Sequence, residues 1–279
     1  MGVFETLIIA TALSGVVGTG LGGAVGAVLQ RESNRIVSLL LSFAAGVMLS
    51  VVCFDLVIEA IETGVGVVTV IAAIAAGVAV IFLLNYWIDR KTNPEVPHID
   101  SNHPKTADAL DELIHSNHLE QHYISNDNKF SLFIAGIIMA SAIALHNVPE
   151  GMTIGASYAS SNAVMGKSAL TLAILIGLHN IPEGMAVSVP LIAGGMSKWK
   201  AVLITACSGI PTIVGALLGF LLGDIGPLGL ALSLGFASGA MLYVVFGEIL
   251  PQSILLHHSK LPAFSAIFGM LVGMVIIYY

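Results

Sequence analysis

Charge is scarce in this sequence: 10% of its 279 residues are Asp, Glu, Lys or Arg, against about a quarter in ordinary soluble domains. That shortage excludes a soluble globular protein, because too little polar surface exists to cover the outside, and the mean hydropathy of +0.94 agrees. Bases are scarcer than acids, 10 against 17, so no basic footprint for a phosphate backbone exists and nucleic-acid binding is excluded. Cysteine is nearly absent. Cys53 and Cys207 both lie in apolar stretches, which leaves no disulfide framework and no cysteine-type zinc finger. Also missing is any Lys or Arg deep within an apolar run, although several such runs hold carboxylates.

What is present is apolar length. Hydrophobic residues make up 56% of the chain, with 30 glycines besides. A bilayer-spanning helix needs about 20 mostly apolar residues, and eight stretches meet that length: 4–29, 36–61, 67–88, 131–158, 167–193, 198–222, 227–252 and 263–279. They are too long and too rich in Gly, Ala and Leu for lipid-facing barrel strands, which alternate polar and apolar residues. The first has no positively charged leader and no clear small-residue cleavage site, so it reads as a retained helix. The expected fold is all-α, a polytopic membrane protein with eight transmembrane helices.

Loop charge predicts the orientation. Arg31, Arg35, Arg90, Lys91, Lys105, Lys129, Lys198, Lys200 and Lys260 fall on one side and only Lys167 on the other. Both termini are therefore expected outside the cytoplasm. The chain divides into helices 1–3 (1–88), a polar cytoplasmic loop (89–130), helices 4–5 (131–193) and helices 6–8 (194–279). The loop carries eight acids, four bases and His98, His103, His115, His118 and His122; its composition argues for disorder, with a short amphipathic helix open to 107–123. Its histidines either capture metal on the cytoplasmic side or are incidental to a solvated linker.

Two internal repeats stand out. The run Ser42 to Asp55 matches Gly235 to Glu248 without a gap, and Leu145-His-Asn-Val-Pro-Glu-Gly-Met152 matches Leu178-His-Asn-Ile-Pro-Glu-Gly-Met185. In the assigned topology the members of each pair run in opposite directions. Inverted repeats, here helices 1–3 and 6–8 around a central helix 4/5 pair, mark secondary transporters, whose substrate sits near the midplane.

Ionisable residues inside spans are costly and point to function. His146 and Glu150 are four apart, hence on one helix face, and His179 and Glu183 repeat that face. Asn147 and Asn180 add neutral oxygens beside them. Pro149 and Pro182 cannot donate, freeing the carbonyls of Leu145 and Leu178. With no base to pair with, the carboxylates either stay protonated or pair with a cation from outside. Imidazole plus carboxylate suits Zn²⁺ and similar first-row ions, whereas Mg²⁺ and Ca²⁺ prefer all oxygen. Asp55, Glu59 and Glu248 either line a path for the ion or face interfacial water, and His257-His258 is a candidate release-side pair. Met139, Met152, Met185 and Met241 read as packing. The run Gly18 to Gly23 satisfies a dinucleotide-binding pattern, but it lies in mid-span without a preceding strand; Gly18, Gly22 and Gly26 fit close helix packing instead.

The two His-Asn-x-Pro-Glu-Gly runs, 146–151 and 179–184, resemble helices 4 and 5 of the ZIP (Zrt/Irt-like) metal transporters, closest to the bacterial GufA-type branch. The resemblance covers essentially the whole chain. It implies uptake of Zn²⁺, with Cd²⁺, Fe²⁺ or Mn²⁺ as further substrates and no prosthetic group, across the cell (inner) membrane into the cytoplasm by alternating access. It also implies a homodimer and an elevator-like movement of helices 1, 4, 5 and 6 against 2, 3, 7 and 8. His146, Glu150, His179 and Glu183 would form the main metal site, with Met48 offering a thioether near it and Asn147 and Asn180 facing a second site. One departure stands out: Thr212, in Ser208-Gly-Ile-Pro-Thr212, occupies the place of a bridging Glu in members with a two-metal centre, so a second site is expected to be weak or absent. An intramembrane metal-dependent hydrolase is the competing reading, but the His-Glu-x-x-His of such enzymes does not occur here.

Overall fold

A computed structural model describes residues 3–28, 34–92, 129–160 and 167–279. Among these residues there is no strand, and long helical rods make up nearly the whole. In chain order they are α1 (Phe4–Val28), α2 (Arg35–Glu62), α3 (Val67–Thr92), α4 (Lys129–Ser160), α5 (Lys167–Ala193), α6 (Lys198–Asp224), α7 (Pro227–Leu256) and α8 (Leu261–Tyr278). Seven of the described helices, α1 to α3 and α5 to α8, are long and apolar enough to cross a membrane. The remaining rod, α4, is 32 residues long and encloses the stretch 131–158. The five loop histidines, the expected helix over 107–123 and Arg31 lie outside the described residues.

The outer surface is apolar, with Phe264, Ile267, Phe268 and Leu271 of α8 all more than half exposed, as a lipid-facing surface requires. Polar residues are instead turned inward. Thr153, Ser157 and Ser188 are buried on α4 and α5 along with the paired motif.

The motif prolines do not break their helices. α4 runs on through Pro149, and α5 through Pro182 and Pro190, because packed neighbours tolerate the lost backbone donor. Irregularity lies elsewhere. π-helical segments occupy Ala12–Val17 of α1, Val52–Leu56 of α2 and Val245–Ile249 of α7, and a turn at Gly209-Ile210 divides α6. Each π turn holds an extra residue and re-aims the remainder of its helix. The segments in α2 and α7 fall at matching positions of the repeated run, with Asp55 and Glu248 in the same place.

Four pairs pack most extensively: α4 on α6, α2 on α8, α1 on α5 and α3 on α7. Glycine lets these backbones meet. A side chain at Gly184 would strike the carbonyl of Thr19, and one at Gly151 that of Thr212; Gly22 faces Ile181 in the same way as Gly215 faces Val148. In the other pairs Gly46 meets Ala266 and Gly239 meets Ile74, while Gly269 meets Phe43 and Gly77 meets Phe236. Each of these contacts has a counterpart at the equivalent position of the other repeat. Apart from Gly229 at the α6–α7 turn, every described glycine set tightly against another helix joins members of one group, either α1, α4, α5 and α6 or α2, α3, α7 and α8.

Filling such a seam forces two backbones apart, at a cost of typically 1–3 kcal/mol for core overpacking and more against a rigid carbonyl. Gly22→Leu and Gly215→Leu are each expected to lower the midpoint of thermal unfolding in detergent. Ala75→Leu, at an exposed position of α3, leaves it unchanged.

Candidate metal centre

α4 and α5 pack along one another at the middle of the bundle, which brings their repeated faces together. His146, Asn147, Glu150, His179, Asn180 and Glu183 are all at most 4% exposed. Ligand atoms of Glu150, His179 and Glu183 lie within 4.8 Å of one another. His179 Nε2 is 3.0 Å from Glu150 Oε1. The second oxygen of Glu150 and both oxygens of Glu183 are buried without a hydrogen-bond partner among the described residues. On a tetrahedral zinc bound at about 2.0–2.2 Å, ligand atoms sit roughly 3.3 Å apart, so modest side-chain rotations close these three on one ion.

The electrostatics favour a cation strongly. Among the described residues no Lys or Arg side chain is buried. A buried ion left unpaired costs several kcal/mol even after the surroundings relax. The cluster offers one imidazole and carboxylate oxygens, the donor set that suits borderline first-row metals. No buried Lys or Arg among the described residues answers its carboxylate oxygens.

His146 takes a different direction. Its Nε2 lies 2.8 Å from Glu248 Oε2 on α7, an ion-pair contact without hydrogen-bond geometry, and Glu248 accepts a hydrogen bond from the Asn85 amide on α3. The sequence expectation of two imidazoles and two carboxylates thus meets a structure in which one imidazole joins two carboxylates and the other joins a third. Met48 is fully buried on α2 among the apolar core side chains. Neither Asn85 nor the direct contact of Glu248 with the motif was read from the sequence. The available signal was the alignment of Glu248 with Asp55 in the repeat.

The asparagines are held from behind. Asn147 Nδ2 donates to Ser208 O on α6 at 2.8 Å, and Asn180 Nδ2 donates to Ser14 O on α1 at 3.1 Å. Both acceptors sit at irregular backbone, the end of the first half of α6 and the π segment of α1. Anchoring the amide nitrogens leaves Oδ1 of both residues, and Thr212 Oγ1, buried without a hydrogen-bond partner. This second oxygen set is neutral, consistent with Thr212 standing where a charged bridge would be.

The remaining candidates lie further out. Glu59 accepts hydrogen bonds from Ser157 Oγ at 3.0 Å and Ser160 Oγ at 2.7 Å, tying α2 to α4. His257 and His258 lie at the α7–α8 turn, partly and fully exposed. Gly18, Gly22 and Gly26 face α5 at Gly177, Ile181 and Ser188, in agreement with the packing reading. Met152, Met185 and Met241 are buried core residues.

Comparison with known proteins gives a consistent answer. Residues 88–279 match the family described as ZIP Zinc transporter. The chain is similar to the zinc transporter ZupT of Clostridium perfringens, 32% identical over 277 residues, covering 95% of this chain and 91% of that protein. It is also similar to the zinc transporter GufA of Myxococcus xanthus, 39% identical over 119 residues, covering 43% and 46% of the two chains. The human zinc transporter ZIP11 is 39% identical over 140 residues, covering 49% and 41%. With the family matched over most of the chain and one relative matched along nearly its whole length, the chain belongs to the ZIP family.

Proposed function

We propose that this protein carries divalent transition-metal ions, zinc foremost and Cd²⁺, Fe²⁺ and Mn²⁺ as further substrates, across the inner membrane into the cytoplasm by alternating access. The observation that carries this reading is the buried Glu150–His179–Glu183 cluster, whose carboxylate oxygens lack partners. Glu150, His179 and Glu183 bind the ion first, and His146 joins them as it leaves Glu248. Asn147, Asn180 and Met48 complete the surroundings of the site.

The wider reading is that α4 is an eighth span, so that α1–α3 and α6–α8 are inverted repeats around the α4/α5 pair. The matching π segments and paired glycine contacts support it. Loop charge puts both termini outside the cytoplasm, with 89–130 as a cytoplasmic unit between 1–88 and 131–193, ahead of 194–279. A homodimer is the expected assembly.

Each step has a residue-level basis. To receive the ion, His179 gives up its contact with Glu150, so that imidazole nitrogen and carboxylate oxygen both turn to the metal. Two carboxylates balance the double charge in a site that water does not reach. The membrane potential supplies about 2.3 kcal/mol per charge per 100 mV, and low free metal in the cytoplasm favours release.

Uptake of radioactive zinc into proteoliposomes is expected to fall to background for His179→Ala and for Glu183→Ala; normal uptake by both variants would exclude this site. A panel of competing Cd²⁺, Mn²⁺, Fe²⁺ and Mg²⁺ in the same assay ranks the substrates, with Mg²⁺ expected to compete least. Because the second oxygen set is neutral, calorimetric titration of the purified protein should find one tight zinc per chain, and two of equal affinity would show that Thr212 costs nothing. Removing residues 95–126 should leave uptake at the same order of magnitude.

A further inference from the structure

The repeats relate polar contacts as well as glycines. Within the group α1, α4, α5 and α6 the glycine seams and the asparagine anchors obey the relation in a single structure. Asn147 donates to the carbonyl of Ser208 on α6, and Asn180, its equivalent, donates to that of Ser14 on α1. Gly151 and Gly184 meet Thr212 and Thr19. Within α2, α3, α7 and α8 it is obeyed too, as the contacts of Gly46 and Gly239 show.

For the side-chain contacts of the carboxylates, between the groups and across α4 and α5, the relation is broken. His146 reaches across to Glu248 on α7 at 2.8 Å. The equivalent contact would join His179 on α5 to Asp55 on α2, because Asp55 holds the place of Glu248 in the matching π segment. Instead His179 is turned to Glu150, and half-buried Asp55 makes no hydrogen bond or ion pair among the described residues. The counterpart of the His179–Glu150 contact would be His146–Glu183, and Glu183 has no partner for either oxygen. Serine contacts follow the same rule. Glu59 is held by Ser157 and Ser160 of α4, while the equivalent positions are Gln252 on α7 and Pro190 and Ala193 on α5.

An inverted repeat whose glycine seams are symmetric inside each group and whose histidine–carboxylate contacts are asymmetric has two states of opposite facing, each built from the other's contacts. We propose that Asp55 is the second docking carboxylate of the transport cycle: in the opposite-facing state His179 leaves Glu150 for Asp55, as His146 leaves Glu248 for Glu183. The inference rests on the inverted-repeat reading of the proposed function. It makes Asp55 a positioning residue, which holds an imidazole away from the ion site in one state only. It also accounts for a carboxylate placed on α2 with no partner here, since its partner arrives with the other state.

Thiol cross-linking separates the role of Asp55 from the inverted-repeat reading. The full chain carries Cys53→Ser and Cys207→Ser, sits in lipid nanodiscs and is kept metal-free with a chelator. The pair Glu59→Cys with Ser160→Cys reports the state described here, and Gln252→Cys with Ala193→Cys reports its counterpart, using a short bifunctional thiol reagent. Both pairs should react in the otherwise unaltered chain. Adding Asp55→Asn should slow the 252–193 reaction about tenfold, the loss of one charge-assisted hydrogen bond in one of two states, while 59–160 still reacts and so certifies the fold. Asp55→Glu should restore the 252–193 reaction, and Glu248→Gln should instead slow 59–160. Equal 252–193 rates with Asp55 and with Asn overturn the role of Asp55 but leave the repeat reading standing. No 252–193 reaction in any background overturns both.

Discussion

Two carboxylates buried in an apolar bundle, with no buried Lys or Arg among the described residues to neutralise them, govern this protein. Glu150 and Glu183 sit at the middle of α4 and α5, where an isolated negative charge is far costlier than in water. Everything near them can be read as an answer to that problem. His179 offers Glu150 a hydrogen bond, the asparagine amides are anchored away from the site, and an ion from outside would neutralise both carboxylates. A protein that solved the problem with a buried Lys or Arg would be a stable bundle and could carry nothing.

The scaffold delivers the two motifs to one place by glycine seams. Because backbone carbonyls press directly on glycine positions, the helices inside each four-helix group have almost no freedom to slide on one another. Between the groups side chains meet instead, in an apolar cluster shared by α2, α4, α5 and α7 and in the polar contacts of His146 with Glu248 and of Glu59 with two serines. Side-chain contacts of that sort exchange one partner for another without unfolding anything. The division into tightly seamed groups with exchangeable polar contacts between them is what alternating access needs from a fold, and it agrees with the elevator-like movement that the family resemblance implies.

Much of this was legible in the sequence, for physical reasons that can be named. Span positions were readable because a helix in lipid must be apolar over its whole length, and 67–88 or 227–252 could be located on that ground alone. Glu150, His179 and Glu183 were readable because ionisable residues are rare in such runs and these came in duplicate. The contact of His146 with Glu248 was not readable. It depends on the rotation of α7 within its π segment, where Glu248 lies, and an extra residue in one turn leaves no mark in composition. Asn85 was missed because a single amide near the end of an apolar run has no periodicity to reveal it. The irregular turns of α1, α2, α6 and α7 were not readable either, since none of them is marked by a proline within a π segment.

The α6–α7 turn carries a mechanical consequence. Only Ile225 and Gly226 separate Asp224, the last residue of α6, from Pro227, the first of α7, and Gly226 adopts a φ of 130° that glycine tolerates best. The two helices belong to different groups, so this short link is a tether between bodies. Three residues' worth of extended chain spans roughly 10–11 Å, so travel between the bodies is bounded near this end; residues 29–33, between α1 and α2, are the other short connection between the groups, and 93–128, between α3 and α4, the long one. Displacement at this end of the bundle is therefore limited to the reach of the leash, whatever the rest of the two bodies does.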